Sequence, residues 1–522
     1  MLTESTGIAA SGHAETSKAA VRLLESGGNA FDAALGAMCA ACVAEPMLAS
    51  LGGGGFLMAL QAGSEPVLHD FFVQTPAHKK PAEDIDFYPI LADFGTATQE
   101  FHIGMGSMAV PGVVAGLFNA HHLCRLPVSE IVAPAVDLAR EGVRITAYQS
   151  EICHILKPIL EASPEAMQLV ATAEEPGAIA DEGSVVRNPD MAETLEALAQ
   201  EGPDLFYRGE LARHLVRDSE EQGGMLQLDD LSAYRVAERK PVFYTSHGAR
   251  FAFNSPPSPS GCLLAFALTL IESRDLADHR WGHEWHGVAL AETMRATSKL
   301  RRELGVDRHL SAQRVAEILD PDHVRSWRES LRNRALFSRG TTQISVADKE
   351  GNLASLTVSN GEGCSYVLPG TGIMMNNMLG EEDLNPDGFH NWSPGIRMAS
   401  MMCPSVAILP GGGRVALGSG GSNRIRSALL QVLINLFEFR MPLLDAVAAP
   451  RLHLERDHLS IEHGFEPETI RALQQGWPDH RLWPEPNMFF GGVHAVVRHP
   501  DGRFDGAGDP RRFGAVALAG AG

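Results

Sequence analysis

Apolar residues recur at helical spacing from Ala14 to Glu25, where Ala19, Ala20, Leu23 and Leu24 share one face, and Gly27-Gly28 stop the helix. A second helix, dense in alanine, is predicted from Asn29 to Val43 and closes at Glu45-Pro46. The run SLGGGGFLM (50–58) then reads as a glycine-rich turn feeding a buried strand. Helical patterns dominate 112–218 and 261–335, broken at PPSPSG (256–261), whose prolines continue no regular element. After Gly340 the texture changes. TTQISVA (341–347) alternates, DKEGN supplies turn residues and LASLTVS (353–359) resumes, so a β-hairpin begins at Thr341. Strands at Ser405–Leu409 and Arg414–Leu417 and a helix over Ser427–Phe439 complete the pattern. Sheet pairs with covering helices suggest layers of helix, sheet, sheet and helix, an order that periodicity alone leaves open.

Composition narrows the functional classes. The chain has 522 residues, 44% hydrophobic and 20% charged, which suits a globular protein with a sizeable core in one large domain or two intimate ones. Its net charge of −21 argues against nucleic acid and against anionic membrane surfaces, because both need clustered cations. No apolar run reaches the roughly 18 residues that span a bilayer, and MLTESTGIAASGHAE lacks a basic start followed by an apolar stretch, so a cytoplasmic location is expected. The seven cysteines (39, 42, 124, 153, 262, 364 and 403) are too few for a disulfide framework. Cys39-x-x-Cys42 lies in the apolar stretch AALGAMCAACVA and reads as core packing rather than a redox pair or half a zinc site.

Several signatures are absent: no G-x-S-x-G elbow, Walker lysine loop, H-E-x-x-H, or G-x-G-x-x-G opening a helix. His283 and His286 in GHEWHG stand i, i+3 without a third ligand, which favours a structural pair over a metal site. Two segments carry chemistry. In LFSRGTTQISVADKEGN (336–352), a break between Gly340 and Thr341 leaves Thr341 with both a hydroxyl and an α-amine. With a pKa of about 8, that amine can take the hydroxyl proton and return it to a leaving group. The plain alternative is a loop entering a strand. In LGSGGSNRI (417–425) the glycines permit converging backbone N–H groups, suited to an oxyanion or a phosphate, or else form only a tight turn.

Taken together, these segments resemble the γ-glutamyltransferase family of N-terminal nucleophile hydrolases. The resemblance rests on HAETSKAAVRLLESGGNAFDAALGA, SLGGGGFLM, AVPGVVAGL (109–117), PAVDLAREGV (134–143), FYRGELA (206–212), DDLSAY (229–234), PPSPSG and HGVALAETMRA (286–296). It continues through GTTQISVADKEGN, RMASMMCPS (397–405), GSGGSNRI, APRLH (449–453) and GDPRR (508–512). It implies an α+β fold, a four-layer αββα sandwich made as one precursor. Self-cleavage between Gly340 and Thr341 would leave a large subunit, 1–340, intertwined with a small one, 341–522. The resemblance further implies Thr341 as nucleophile, Ser359 as a second hydroxyl beside its amine, and the amides of Gly421 and Ser422 as the oxyanion hole. A small-molecule amide is the implied substrate, with no cofactor and no metal.

The departures fall in the acyl pocket. Where the family clamps the glutamyl head, this chain has Phe72, Gly361, Met378 with Glu381, and Ser400 with Met401. Phe72 and Met378 make an unfavourable home for a carboxylate without a compensating cation, and Lys79, Lys80 or Arg424 are the candidates to supply one. Three readings follow: a threonine-dependent amide hydrolase or acyltransferase, an acylase or small-amide hydrolase on the same machinery, and an unprocessed binding homologue.

Overall fold

Alternation in the strand Thr342–Asp348 sends Gln343 and Ser345 one way and Ile344 and Val346 the other, and both sets are buried. A strand buried on both faces needs a layer on each side. On one side is a second sheet: Ser345 Oγ donates to the His494 carbonyl at 2.9 Å and Ser355 Oγ to the Leu417 carbonyl at 2.9 Å. On the other, Ile344 and Val346 join a core with the helices Ala14–Glu25 and Ala30–Ala44. The computed structural model describes residues 5–93, 98–272, 276, 280–327, 341–455 and 457–520, so Gly340, on the expected cleavage bond, lies outside the described residues.

The first sheet has seven antiparallel strands, with Thr342–Asp348 paired to Gly7–Ser11 on one edge and to Leu353–Ser359 on the other. Gly54–Leu60 continues it, setting Gly54 opposite Ser359. The second sheet has six antiparallel strands, among them Ser405–Ile408, Arg414–Gly420 and Gly492–Arg498. Its outer face is covered by Ser260–Glu272, Glu284–Glu303 and Arg424–Phe437, whose apolar residues join the second large core. The order is therefore helix, sheet, sheet, helix: the αββα sandwich expected from the sequence. Residues from both ends of the chain interleave, since Gly7–Ser11 lies between Thr342–Asp348 and Ala515–Ala519.

Local chemistry explains the elements. Asn29 Oδ1 accepts from the amides of Phe31 and Asp32, and Asp32 Oδ2 accepts from the Asn29 amide, a reciprocal cap that starts the alanine-rich helix. Every residue from Ala30 to Ala44 is buried. Close approach is built in at Gly36, where a Cβ would come within 2.1 Å of Leu23 Cδ1. Burial pushes the Cys39 thiol up to about 12, and all seven cysteines are free, in keeping with packing rather than redox chemistry. The helix expected from Ser427 starts earlier, at Arg424, because Arg424 and Arg426 are buried cations that look like loop residues in a polarity pattern. His283 caps Glu284–Glu303, while His286 accepts from the Gly282 amide at 3.1 Å, so this pair is structural. Among the described residues no helix is long and apolar enough to cross a membrane.

Candidate active site

Thr341 stands immediately before the strand Thr342–Asp348 and is only 5% exposed. By strand alternation its side chain shares the inter-sheet side with Gln343, whereas Thr342 turns to the helices. Its carbonyl accepts from Arg512 Nη1 at 3.3 Å. The neighbouring strand must end in glycine here, since a Cβ on Gly420 would meet the Thr341 carbonyl oxygen at 2.1 Å.

Ser359 closes the adjacent strand, where its Oγ accepts from the Gly361 amide at 3.1 Å. Gly361 has φ +66°, and a Cβ there would lie 2.1 Å from Asn377 Oδ1 and 2.3 Å from Glu381 Oε1. Its lack of a side chain is what allows Glu381 and Asn377 to pack against it. After Gly420 the chain turns through Gly421 (φ +121°) and Ser422 (φ +50°) before entering the helix at Arg424. Two consecutive left-handed residues form a tight turn at a helix start, and among the described residues the amides of Gly421 and Ser422 donate to no recorded partner. Asp383 locks the turn from outside, accepting from Ser422 Oγ at 2.9 Å and Asn423 Nδ2 at 3.1 Å.

Thr341, Ser359 and Ser422 line one cleft of about 540 Å³, open at its mouth. Phe72, Met378, Glu381, Ser400 and Met401 line it too, so eight of the ten candidate residues meet there, with Gly361 and Gly421 directly behind. Phe72 is held by stacking on Phe56, ring centroids 5.4 Å apart. Ser400 Oγ is turned to the Met402 amide at 3.1 Å. Residues not anticipated from the sequence include Asp307, Asp383, Leu384, Met402 and Ile425. Of these Asp383 carried the one available signal, standing two residues from Glu381. Among the described residues that line the cleft, the charged side chains are Asp307, Glu381 and Asp383 and none is a cation.

The structure corrects the expectation of a substitute cation. Lys79 is exposed, with Nζ donating to the His390 carbonyl at 2.8 Å and lying over the Trp392 ring. Arg424 is buried against Phe489, 4.1 Å from guanidinium to ring centroid, and Lys80 does not line the cleft. Arg397, beside the pocket in sequence, turns behind Phe72 to the Phe72 carbonyl, Tyr234 and Asp70.

The two C-terminal motifs meet beneath the site. Arg451 of APRLH pairs with Asp509 of GDPRR at 2.6 Å, Asp509 also accepts from the Val493 amide at 2.8 Å, and Arg511 pairs with Glu462 at 2.5 Å. All four charged groups are buried, and each finds an opposite charge and backbone partners, as burial of charge requires. This brace positions Arg512 against Thr341.

The profile of the family described as gamma-glutamyltranspeptidase matches residues 16–519. The chain belongs to the γ-glutamyltranspeptidase family. Within it, this γ-glutamyltranspeptidase relative is 31% identical to the acylase ACY 1 proenzyme of Pseudomonas sp. (strain V22), over 99% of this chain and 94% of that protein. It is 27% identical to the glutathione hydrolase proenzyme of Escherichia coli (strain K12), over 97% of this chain and 90% of that protein. The fold is shared with a cephalosporin acylase from Bacillus halodurans at a TM-score of 0.79 and 22% identity, covering 99% of this chain and 96% of the other.

Proposed function

We propose that this protein is an autoprocessing, threonine-dependent amide hydrolase and acyltransferase working through an acyl ester on Thr341. The observation that carries the reading is the convergence of Thr341, Ser359 and the Gly421–Ser422 turn on one cleft. The precursor would divide between Gly340 and Thr341 into 1–340 and 341–522, and both curated relatives named above are proenzymes. Once free, the Thr341 α-amine takes the proton of its own Oγ–H as the oxygen attacks the substrate carbonyl. The tetrahedral oxyanion accepts from the amides of Gly421 and Ser422, in a turn whose conformation Asp383 already holds. Collapse breaks the C–N bond, and the amine leaves with the proton returned by the α-ammonium. Water or a second amine then attacks the ester and releases Thr341 Oγ. Ser359, oriented by the Gly361 amide, supplies a second hydroxyl beside that exchange.

For the acyl group, we favour the acylase-like reading. Carboxylates supply all the charge on the described lining, and Phe72, Met378 and Met401 supply an apolar wall. Asp307 is paired with Arg301 behind the lining and Asp383 is engaged by Ser422 and Asn423, so the lining itself offers an incoming carboxylate no cation and suits an uncharged or amine-bearing acyl chain. Small-molecule amides are thus the proposed substrates, with neither nucleic acid nor membrane as partner, and the free cysteines favour a cytoplasmic, reducing setting. The test is denaturing electrophoresis followed by an amide panel. Two fragments and Thr341-dependent turnover are expected. An intact, inactive chain would instead point to an unprocessed binding homologue.

A further inference from the structure

The reverse side of the Thr341 strand carries a second buried device. A mainly apolar cavity on this side is lined by Val43, Met47, Leu48 and Ile152, and Glu45 is the one acidic residue on its described lining. Glu45 ends the helix Ala30–Ala44 and is 5% exposed. Its Oε1 accepts from Thr342 Oγ1 at 3.1 Å and its Oε2 from Thr16 Oγ1 at 3.4 Å. A glycine makes this approach possible, because a Cβ on Gly12 would lie 2.7 Å from Glu45 Oε1 and 2.9 Å from Thr342 Oγ1. From the opposite side Arg512 reaches the Thr341 carbonyl, and it needs glycine too: a Cβ on Gly492 would meet Arg512 Cδ at 2.5 Å.

Resting on the functional reading above, we propose that Glu45 is a positioning residue for Thr341. Its carboxylate holds Thr342 from the helix side while Arg512 holds the Thr341 carbonyl from the sheet side, so that two buried opposite charges fix the reacting end of the strand. A threonine nucleophile that also carries its own base has little tolerance for rotation, because hydroxyl and amine must both face the substrate carbonyl. Pinning the next residue's side chain and its own carbonyl removes that rotation.

The grip is proton-linked. Burial pushes the Glu45 carboxyl up to about 7, against the opposing pull of the Thr342 and Thr16 hydroxyls and of Arg512. Besides Arg512, the other titratable groups around it are His13, Cys42, Tyr148 and Cys153, the last pushed up to about 12 by burial and so neutral as well. Burial lowers the His13 value and raises those of Cys42 and Tyr148, so each is neutral near pH 7. Below about pH 7 the protonated Glu45 carries a donor of its own toward two hydroxyls that already donate, and one of them must turn away. Above it, both donate into the carboxylate.

The test is kcat against pH for the processed wild type, E45Q, T342V, T342S and the double variant E45Q/T342V on one amide. E45Q should lose about tenfold in kcat with KM within about twofold, and should lack the wild type's rise near pH 7. T342V should reproduce the loss, T342S should recover to within about twofold, and the double variant should be no worse than E45Q alone. A substrate-free arm follows thermal stability against pH. Glu45 binds more proton folded than unfolded between about pH 4.5 and 7, so wild-type stability should fall across that window and the E45Q curve should be flatter. An active wild type beside an E45Q variant with unchanged kcat and pH profile would overturn this proposal, as would multiplying effects of E45Q and T342V. Should E45Q not fold, the T342V and T342S pair decides. An inactive wild type would instead overturn the functional reading, and that shows first in the control.

Discussion

On one wall of the cleft, Thr341, Ser359, Gly421 and Ser422 are held through backbone: a carbonyl under Arg512, an amide on Ser359 Oγ, and two left-handed residues locked by Asp383. A second wall of the lining consists of Phe72, Met378, Glu381 and Met401, which contribute side chains. In the proposed function, the difference separates chemistry from choice. The first wall works only if a strand end, a glycine turn and a helix start coincide, so its residue types are tightly constrained by φ/ψ and space. The second can exchange one side chain for another without moving a strand, so specificity can change there while the backbone of the first stays in place.

Breaking the first wall should have the largest effect. Thr341→Ala is expected to leave the 56.1 kDa chain intact instead of dividing it into about 37 and about 20 kDa, with turnover down by about 10³-fold or more. Thr341→Ser should retain slow versions of both, having the hydroxyl but not the methyl that restricts its rotamer. Mass analysis and steady-state kinetics check this.

The second wall is sharpened by matched anilides. Loss of a charge-assisted contact to a buried carboxylate costs about 2 to 5 kcal/mol, so an aliphatic acyl group should exceed the γ-glutamyl group by about 30-fold to several thousand-fold in kcat/KM. A preference for γ-glutamyl would mean that this wall recognises the glutamyl head by other means.

Gly361 joins the walls. Gly361→Ala places a Cβ on Asn377 and Glu381 at φ +66°, and should lower kcat about tenfold and stability by about 1 to 3 kcal/mol. Activity lost without any loss of stability would show that Gly361 is not held by packing.

The smallest effect lies away from both walls and serves as a control. Burial depresses His286 to about 3, so its contribution is fully present above about pH 6.5 and is lost as pH falls toward 3. His286→Asn should flatten thermal stability over that acidic range while leaving specificity untouched.

Much of this was legible in the sequence, and the reason differs by wall. The hairpin at Thr341 and the alanine-rich helix follow from local periodicity and turn chemistry, the layer order comes from the family resemblance, and the glycine turn expected within LGSGGSNRI is confined to Gly421 and Ser422 because the strand runs on to Gly420. Not legible were contacts made by folding alone. Glu45 reads only as the end of a helix, yet it meets Thr342, 297 residues away. GDPRR is legible only as a motif of the resemblance, with no role for Arg512, yet Arg512 lies under Thr341, 171 residues distant. Arg424 and Arg426 hide a helix start because polarity patterns count buried arginines as solvent-facing. Glu381, Asp383 and Asp307 converge on the cleft from two separate segments, with Arg301 paired to Asp307 behind it, an arrangement made by the fold and not by any motif.

In the proposed function, Thr341 becomes the acyl-bearing N-terminus. N-terminal sequencing and peptide mass mapping of the protein quenched during turnover of a slow amide test it directly. A fragment of about 20 kDa beginning TTQISVADKEGN, with the acyl mass on Thr341, is the expected result. An intact chain, a different N-terminus, or the acyl group on any other residue would contradict it.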